Sequence, residues 1–395
     1  MTGDSVPIGR RVAYLRARRK LSQQSFADRL GKSKSWVDKV ERGVRSLERL
    51  STIREVAAVL RVDAATLLGR DVRSVELVER AEGIFKVRAA LSAYGMTNSG
   101  LVACRDASPD QLGRAVGHAW TTYQHARYPQ LIEQLPVLLT GVQRLQAQES
   151  GAERTAVVEA YRVTAALLVK LDEASLAWLA ADRAMSAAIG DPVLLACAAV
   201  QLGQVLRASA RSRSVMLAAA YRIAPADPND GTPQELSLCG SLLVQAALTA
   251  ARAGNDRDAG GLLNEATEMA MHVGDGHDHH HTAFGPVVVD LARITAAIEL
   301  GDGKRAVTQH EEVVEREEWR WLPLEHRAAH LVDVARAYLQ VGDVITAARS
   351  LLLVDNIAPS EIRHRPAARR VVAEVAQRAD APTTITDFAT GLGLV

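Results

Sequence analysis

Lysine is scarce in this chain, seven residues of 395, yet Lys20, Lys32, Lys34 and Lys39 fall within twenty positions. Three of them sit in the stretch SQQSFADRLGKSKSWVDKVERG, residues 22–43. Ammonium groups gathered this way form a site for a polyanion. A second cluster with chemical potential is GDGHDHHHTAFGP, 274–286, with four histidines and two aspartates. Adjacent side chains diverge unless a turn gathers them, and no cysteine lies near in sequence, so no tetrahedral metal site is expected and the reading is a solvated interhelix loop. His326 and His330 lie one helical turn apart in EHRAAH, but Arg327 stands where a zinc protease needs its glutamate, so a structural role is expected. Neither a phosphate-binding G-x-x-x-x-G-K-[ST] nor a dinucleotide-binding glycine motif is present. No nucleophile signature is present either, so no catalytic residue, cofactor or metal is expected and the chain is read as a non-enzyme.

The distribution of charge separates a head from a body. Residues 1–75 carry 17 Lys and Arg against 8 Asp and Glu, a balance of +9, whereas the whole chain is only +1. A basic head on an acidic body points to a polyanion partner for the head alone. At 395 residues, 48% hydrophobic and only 4% aromatic, the chain is long enough for two or more domains and suited to helices packed through small side chains. No apolar run reaches eighteen residues and the N-terminus has no apolar signal core, so neither a membrane span nor a secretion signal is expected. Cys104, Cys197 and Cys239 are far apart and odd in number, which reads as reduced residues of a cytoplasmic protein.

The elements that must position the lysines are short helices. Ile8, Val12 and Leu15 recur at helical spacing. Ser22 suits the N-cap of a helix starting at Gln23-Gln24, with Phe26, Ala27 and Leu30 inward and Gly31 ending it. Ser33 suits the cap of a second helix, Lys34 to Glu41, with Val37 and Val40 inward and Arg42-Gly43 closing it. Further helices are expected at about 51–60 and 64–68, giving a five-helix unit. Two short helices joined by a glycine turn form a helix-turn-helix, whose second helix enters the major groove. Lys34, Ser35, Asp38, Lys39 and Arg42 then face outward. Gln23 can offer its amide and a helix N-terminus to a phosphate. Asp38 suits either a salt bridge to Lys34 or Arg42, the simpler reading, or an acceptor for a cytosine amino group. Trp36 suits packing on the neighbouring helix or stacking at the DNA surface. The expected DNA-contacting set is Gln23, Gln24, Lys32, Ser33, Lys34, Ser35, Trp36, Asp38, Lys39, Arg42 and Arg45.

LSQQSFADRLGKSKSWVDKVERG resembles the Xre/lambda-Cro-type helix-turn-helix family. The Ser-Gln helix start, the Phe26-Ala27 pair, the turn glycine and the closing Val-x-x-Val-Glu-x-Gly carry the resemblance. The version SKSWVDKVERG is similar to regulators of GC-rich actinobacteria. The resemblance covers about 70 residues and implies sequence-specific DNA binding and transcriptional control.

The body repeats. Ala177, Ala218, Ala259, Ala306 and Ala347 fall 41, 41, 47 and 41 residues apart, each in a frame such as AYLQVGDVITAARSLLL. The frame resembles tetratricopeptide (TPR) arrays, stacked helix pairs in which small residues let helices approach. The expected architecture is all-α: a helix-turn-helix domain over 1–71, then a connecting helix and linker over 72–110. A TPR-like solenoid of about six helix pairs and a capping helix follows over 111–381, with a tail over 382–395. The six extra residues of the long interval fall at 274–286. TAFGP in that insertion resembles a segment of the same actinobacterial regulators. Thr-Asn follows there, whereas Val287-Val288 follows here; the plainer reading is a helix start at Pro286.

The concave face of such an array suits a peptide or a small molecule. Trp120, Tyr123, Tyr161, Arg162, Gln204, Gln245, Thr282, Phe284 and Arg293 are the candidates for that wall. Two readings follow. In one, a homodimer binds a double-stranded operator of two half-sites, and the body senses an effector. In the other, the body is only a dimerisation and protein-interaction scaffold of a constitutive or partner-controlled regulator.

Overall fold

The computed structural model describes residues 8–45, 47, 50–60, 62, 72–93, 108–146, 154–206 and 210–395. Among these residues every regular element is a helix. The expected helix at 64–68 lies outside them, as do Cys104 and most of the expected linker. The chain divides into two compact units, Met1–Gly83 and Ile84–Val395.

The head is built from α1 (Ile8–Arg18), α2 (Gln23–Leu30), α3 (Lys34–Glu41) and α4 (Leu50–Leu60). Val12, Phe26, Ala27, Val37, Val40, Ile53 and Val56 form its core. Ser22 accepts the backbone N–H of Ser25, and Ser33 accepts that of Trp36, so each helix of the motif begins on a hydroxyl. Gly31 ends α2 at φ 62°, a left-handed conformation that glycine adopts without a Cβ penalty. α1 lies directly on the end of α3, where a Cβ on Gly9 would come within 2.1 Å of the Val40 carbonyl oxygen.

α5 (Val72–Ser92) sends Ile84, Val87, Ala90 and Leu91 into the core of the body. Six helix pairs follow: α6 (Pro109–Gln124) with α7 (Tyr128–Gln146), α8 (Arg154–Lys170) with α9 (Ala174–Ala187), and α10 (Pro192–Val205) with α11 (Ala210–Ile223). They continue as α12 (Pro233–Arg252) with α13 (Asp256–Val273), α14 (Pro286–Glu299) with α15 (Gly303–Val314), and α16 (Leu324–Gln340) with α17 (Val344–Ile357). Three helices close the body, α18 (Pro359–Arg363), α19 (Pro366–Ala376) and α20 (Thr383–Leu392). The stretch 382–395, expected as a tail, therefore ends in a helix held by buried Ile385 and Ala389.

The pairs share one turn chemistry. Gly254, Gly301 and Gly342 adopt φ of 75°, 83° and 84°, and Asn255, Asp302 and Asp343 directly after them cap the next helix. The fourth residue of that helix is Ala259, Ala306 or Ala347, each buried against its partner, and Ala177 holds the same place in α9. Ala218 does not. It lies well inside α11 and is exposed, whereas Met216 and Ala220 turn inward; the sequence frame slipped there because α11 is rich in alanine.

Two apolar clusters make up the body. The central one runs through α10–α14, and the other joins the first pairs to the last ones. The second exists because the array returns on itself. Glu361 in α18, with no exposed surface, accepts from Tyr128 Oη of α7, from Lys170 Nζ of α8 at 2.9 Å and from Arg365 Nη1 at 3.0 Å. Lys170 also pairs with Glu325 of α16. Burial alone would raise the Glu325 carboxyl, but Lys170 and His326 outweigh it and hold it well below the usual carboxylate range.

Candidate functional site

In the head, Gln24 at the start of α2 is exposed, as are Lys32, Ser33, Lys34, Ser35, Lys39, Arg42 and Arg45 on or beside the motif's second helix. Trp36 is half-buried and packs against the head's core. Asp38 pairs with Arg42 at 2.6 Å, one helical turn away. Arg42 is largely exposed and Asp38 partly so, and an i, i+4 pair this open to solvent is worth only about 0.3–0.5 kcal/mol. Gln23 is less free than its expected phosphate-contacting role requires: its Nε2 donates to Glu41 Oε2 at 2.8 Å. Glu41 in turn accepts from Arg16 Nε at 2.6 Å and Nη2 at 3.0 Å, while Arg16 Nη1 holds the Leu21 carbonyl. A nearly buried carboxylate thus ties α1, the start of α2 and the end of α3 together. This fixes the angle at which the lysine edge is presented. The sequence reading missed that link because Arg16 and Glu41 are 25 residues apart.

In the body, a cavity of ≈ 480 Å³ is lined by the first helices of the pairs. Of the nine expected wall residues, Trp120, Tyr123, Gln204, Gln245 and Thr282 line it. Tyr161 and Phe284 are core residues, and the Phe284 ring occupies the space above Gly240 that a side chain there would need. Arg293 faces the second helix of the preceding pair, donating to the Leu263 carbonyl, Asn264 and Thr267. Its periodicity suited either face of α14, and sequence spacing alone could not choose.

Arg162 is fully buried behind the wall. It donates to Glu159, to Gln201 Oε1 at 2.7 Å and to the His280 carbonyl at 3.1 Å, and its guanidinium lies 5.4 Å from the Trp120 ring centre. Trp120 Nε1 donates to the other oxygen of Glu159 at 2.9 Å. This network corrects the reading of the histidine segment. The loop 274–286 is solvated at Gly276, His277 and Asp278, but half-buries His279 to Ala283 and turns Phe284 inside. His281 stacks on Trp120 with ring centres 4.7 Å apart and, with Thr282, forms part of the cavity wall. Gln124 donates to Asp278 at 2.7 Å, and Asp278 accepts the Ala283 N–H at 3.0 Å. His280, His281 and Ala283 have φ of 53°, 58° and 47°, a conformation costly for residues with a Cβ and held by these contacts. Among the described residues no group of three or more His, Cys, Asp or Glu could hold a metal. Pro286 opens α14, as the plainer reading of TAFGP expected.

His326 and His330 are one turn apart on α16 but part company chemically. His326 lies 3.1 Å from Glu325, whose charge raises it against the effect of burial. His330 shares a hydrogen bond with His310 at 3.0 Å, and burial pushes the two down to about 3 and about 4. The sequence reading also missed Lys170, Arg252, Asp333, Arg365 and Arg370 as lining residues, since distant segments bring them together.

Fold and site together define an all-helical chain with a helix-turn-helix head and a solenoid-like body of helix pairs. Residues 7–68 match the family model described as a helix-turn-helix domain, which supports a DNA-binding regulator. Nothing matches the chain among curated proteins or among solved structures. No helix among the described residues is long and apolar enough to cross a membrane.

Proposed function

We propose that this chain is a sequence-specific, non-enzymatic transcription regulator of the Xre type, acting in the cytoplasm, whose TPR-like body binds an effector in its central cavity. The observation that carries the reading is the union, in one chain, of an exposed lysine edge on a helix-turn-helix and a cavity lined by paired charges, free amides and an aromatic stack. A cavity of this volume falls in the range of small-ligand sites. One short recognition helix reads few base pairs, so two heads on half-sites about one helical turn apart, carried by a homodimer, supply useful affinity.

Operator selection followed by salt-titrated binding tests the first part. Affinity should fall steeply with salt. Lys34→Ala or Ser35→Ala should cost about 1–3 kcal/mol and relax discrimination between sequences. Equal affinity for selected and random duplexes at physiological salt defeats the reading. Sizing the chain tests the dimer, and a strict monomer at tens of micromolar defeats it.

The alternative, a body serving only as a dimerisation scaffold, draws on exposed apolar residues, Trp178, Tyr221 and Met271 on the second helices of their pairs and Ile189 in the turn after α9. The two readings separate on whether filling the cavity by substitution alters DNA affinity. Only the effector reading expects a change.

A further inference from the structure

The charged groups around the cavity differ in how well they are compensated. Lys170, Glu325 and Arg365 are consumed by the clasp around Glu361. Arg252 is not. Its nearest carboxylate is Glu299 at 3.9 Å, and Glu299 is already engaged by Arg336 at 3.0 Å. Burial, with Arg336 adding to it, outweighs the pull of Glu299 and Asp333 and lowers the Arg252 guanidinium, whereas Arg365, close to Glu361, is raised. A half-buried cation short of counter-charge is a place where an anion gains. Asp333 is also drawn on by Arg365, so it does not neutralise Arg252 by itself.

Two further positive features line the same cavity. Arg370 lines the cavity at an exposed position and makes no ion pair or hydrogen bond among the described residues. Pro366 and Ala367, also lining, form the first turn of α19, and that helix begins on Arg365 with no side-chain cap. Pro366 has no N–H, so the N–H groups that keep their capacity for an acceptor are those of Ala367 and Ala368. Beside polar residues that include Asp172, Ser241, His281, Thr282 and Thr295, Val205, Val244, Leu248 and Leu291 give the wall an apolar strip along α10, α12 and α14. The strip is interrupted by Gln204 and Gln245, whose amides make no side-chain hydrogen bond among the described residues.

We propose that the cavity takes a small anionic amphiphile, with its acidic head held by Arg252, Arg370 and the first turn of α19, and its apolar body laid along α10, α12 and α14. This rests on reading the cavity as the effector site and adds the chemical class of the ligand. A neutral apolar molecule would leave Arg252 uncompensated. A cation would leave it so too, although Asp172 and Asp333 also line the wall.

The test uses the full chain and two fluorescent probes of similar aromatic body: 8-anilinonaphthalene-1-sulfonate, which is anionic, and N-phenyl-1-naphthylamine, which is neutral. The expected result is one sulfonate bound per chain, with affinity lowered about tenfold in Arg252→Gln and in Arg370→Gln and unchanged in Arg222→Gln, an exposed arginine outside the cavity. The neutral probe should bind all four proteins alike. Ala292→Phe, which fills the cavity, should abolish binding of both probes. Arg370 is exposed, so its variant keeps the experiment decisive even where Arg252→Gln or Ala292→Phe folds poorly. Unchanged sulfonate affinity in Arg370→Gln, or an equal loss for the neutral probe, overturns the proposal. DNA affinity is measured in parallel. Sulfonate binding as expected with no effect on DNA upholds the ligand class and rejects effector sensing.

Discussion

Glu361→Ala should be the most damaging single substitution in the body, costing about 3–5 kcal/mol, the range for removing one member of a buried ion pair. The carboxylate has no exposed surface and holds three donors, Tyr128 Oη of α7, Lys170 Nζ of α8 and Arg365 Nη1 at the junction of α18 and α19. Its loss strands a buried phenol and leaves two cations with fewer counter-charges. Glu361→Gln keeps the shape but turns part of the acceptor into a donor facing Lys170, so it should fall between alanine and the native protein. Arg213→Ala provides the contrast. Its ion pair with Asp258 is about 40% exposed on both sides and should change stability by less than about 0.5 kcal/mol. The measurement is denaturant unfolding followed by tryptophan fluorescence, with hydrogen exchange to locate the effect. Because the clasp joins the first pairs to the last, amides of α6–α8 and α16–α19 should lose protection before those of the central cluster, α11–α13. A loss below about 1 kcal/mol, or uniform loss of protection, would show that the apolar seam alone closes the array.

The reach of sequence reasoning stopped where contacts became distant. The lysine edge, the serine caps and the Gly31 turn are local, set by residue types within a few positions, and so is the Gly-Asn/Asp turn with its alanine four residues into the next helix. All of these were legible. The inward fold within 274–286 was not, because the groups that hold it, Gln124 and Arg162, lie 154 and 118 residues away from their partners. Tyr128 and Glu361, 233 residues apart, are legible only once the array is known to return on itself. The buried charges of the body misled in the same way. Arg162 looked like a wall residue because arginine is rarely buried, and it is buried here because Glu159, Gln201, a carbonyl and the Trp120 ring satisfy it. Ala218 failed for the opposite reason, since a small residue in an alanine-rich helix carries little information about which face it occupies.

Acidification should destabilise the body well above the pH at which carboxylates titrate. His310 and His330 are buried against each other, with Tyr338 beside the first and Trp319 beside the second, and burial holds them down to about 4 and about 3 from an ordinary 6.5. No carboxylate raises either one, and Nδ1 of His330 has no hydrogen-bond partner among the described residues. Between pH 6.5 and those lowered values the unfolded chain binds protons that the folded chain refuses, so stability falls as pH falls through that window. Two such residues make the loss about 2–4 kcal/mol between pH 7 and pH 5. His326 acts in the opposite sense: raised by Glu325, it contributes stability that is present below 6.5 and lost as pH rises, and it offsets part of the effect. Glu325, held low, adds its own loss only as pH falls further, below the range of an ordinary glutamate. Urea midpoints at pH 7, 6 and 5 should therefore decline in the native protein, and the decline should flatten in His310→Leu/His330→Phe, which removes both depressed groups and fills their space with apolar atoms. A double variant that keeps the native slope would assign the acid sensitivity to other groups, with His280, which burial also lowers, the next to replace.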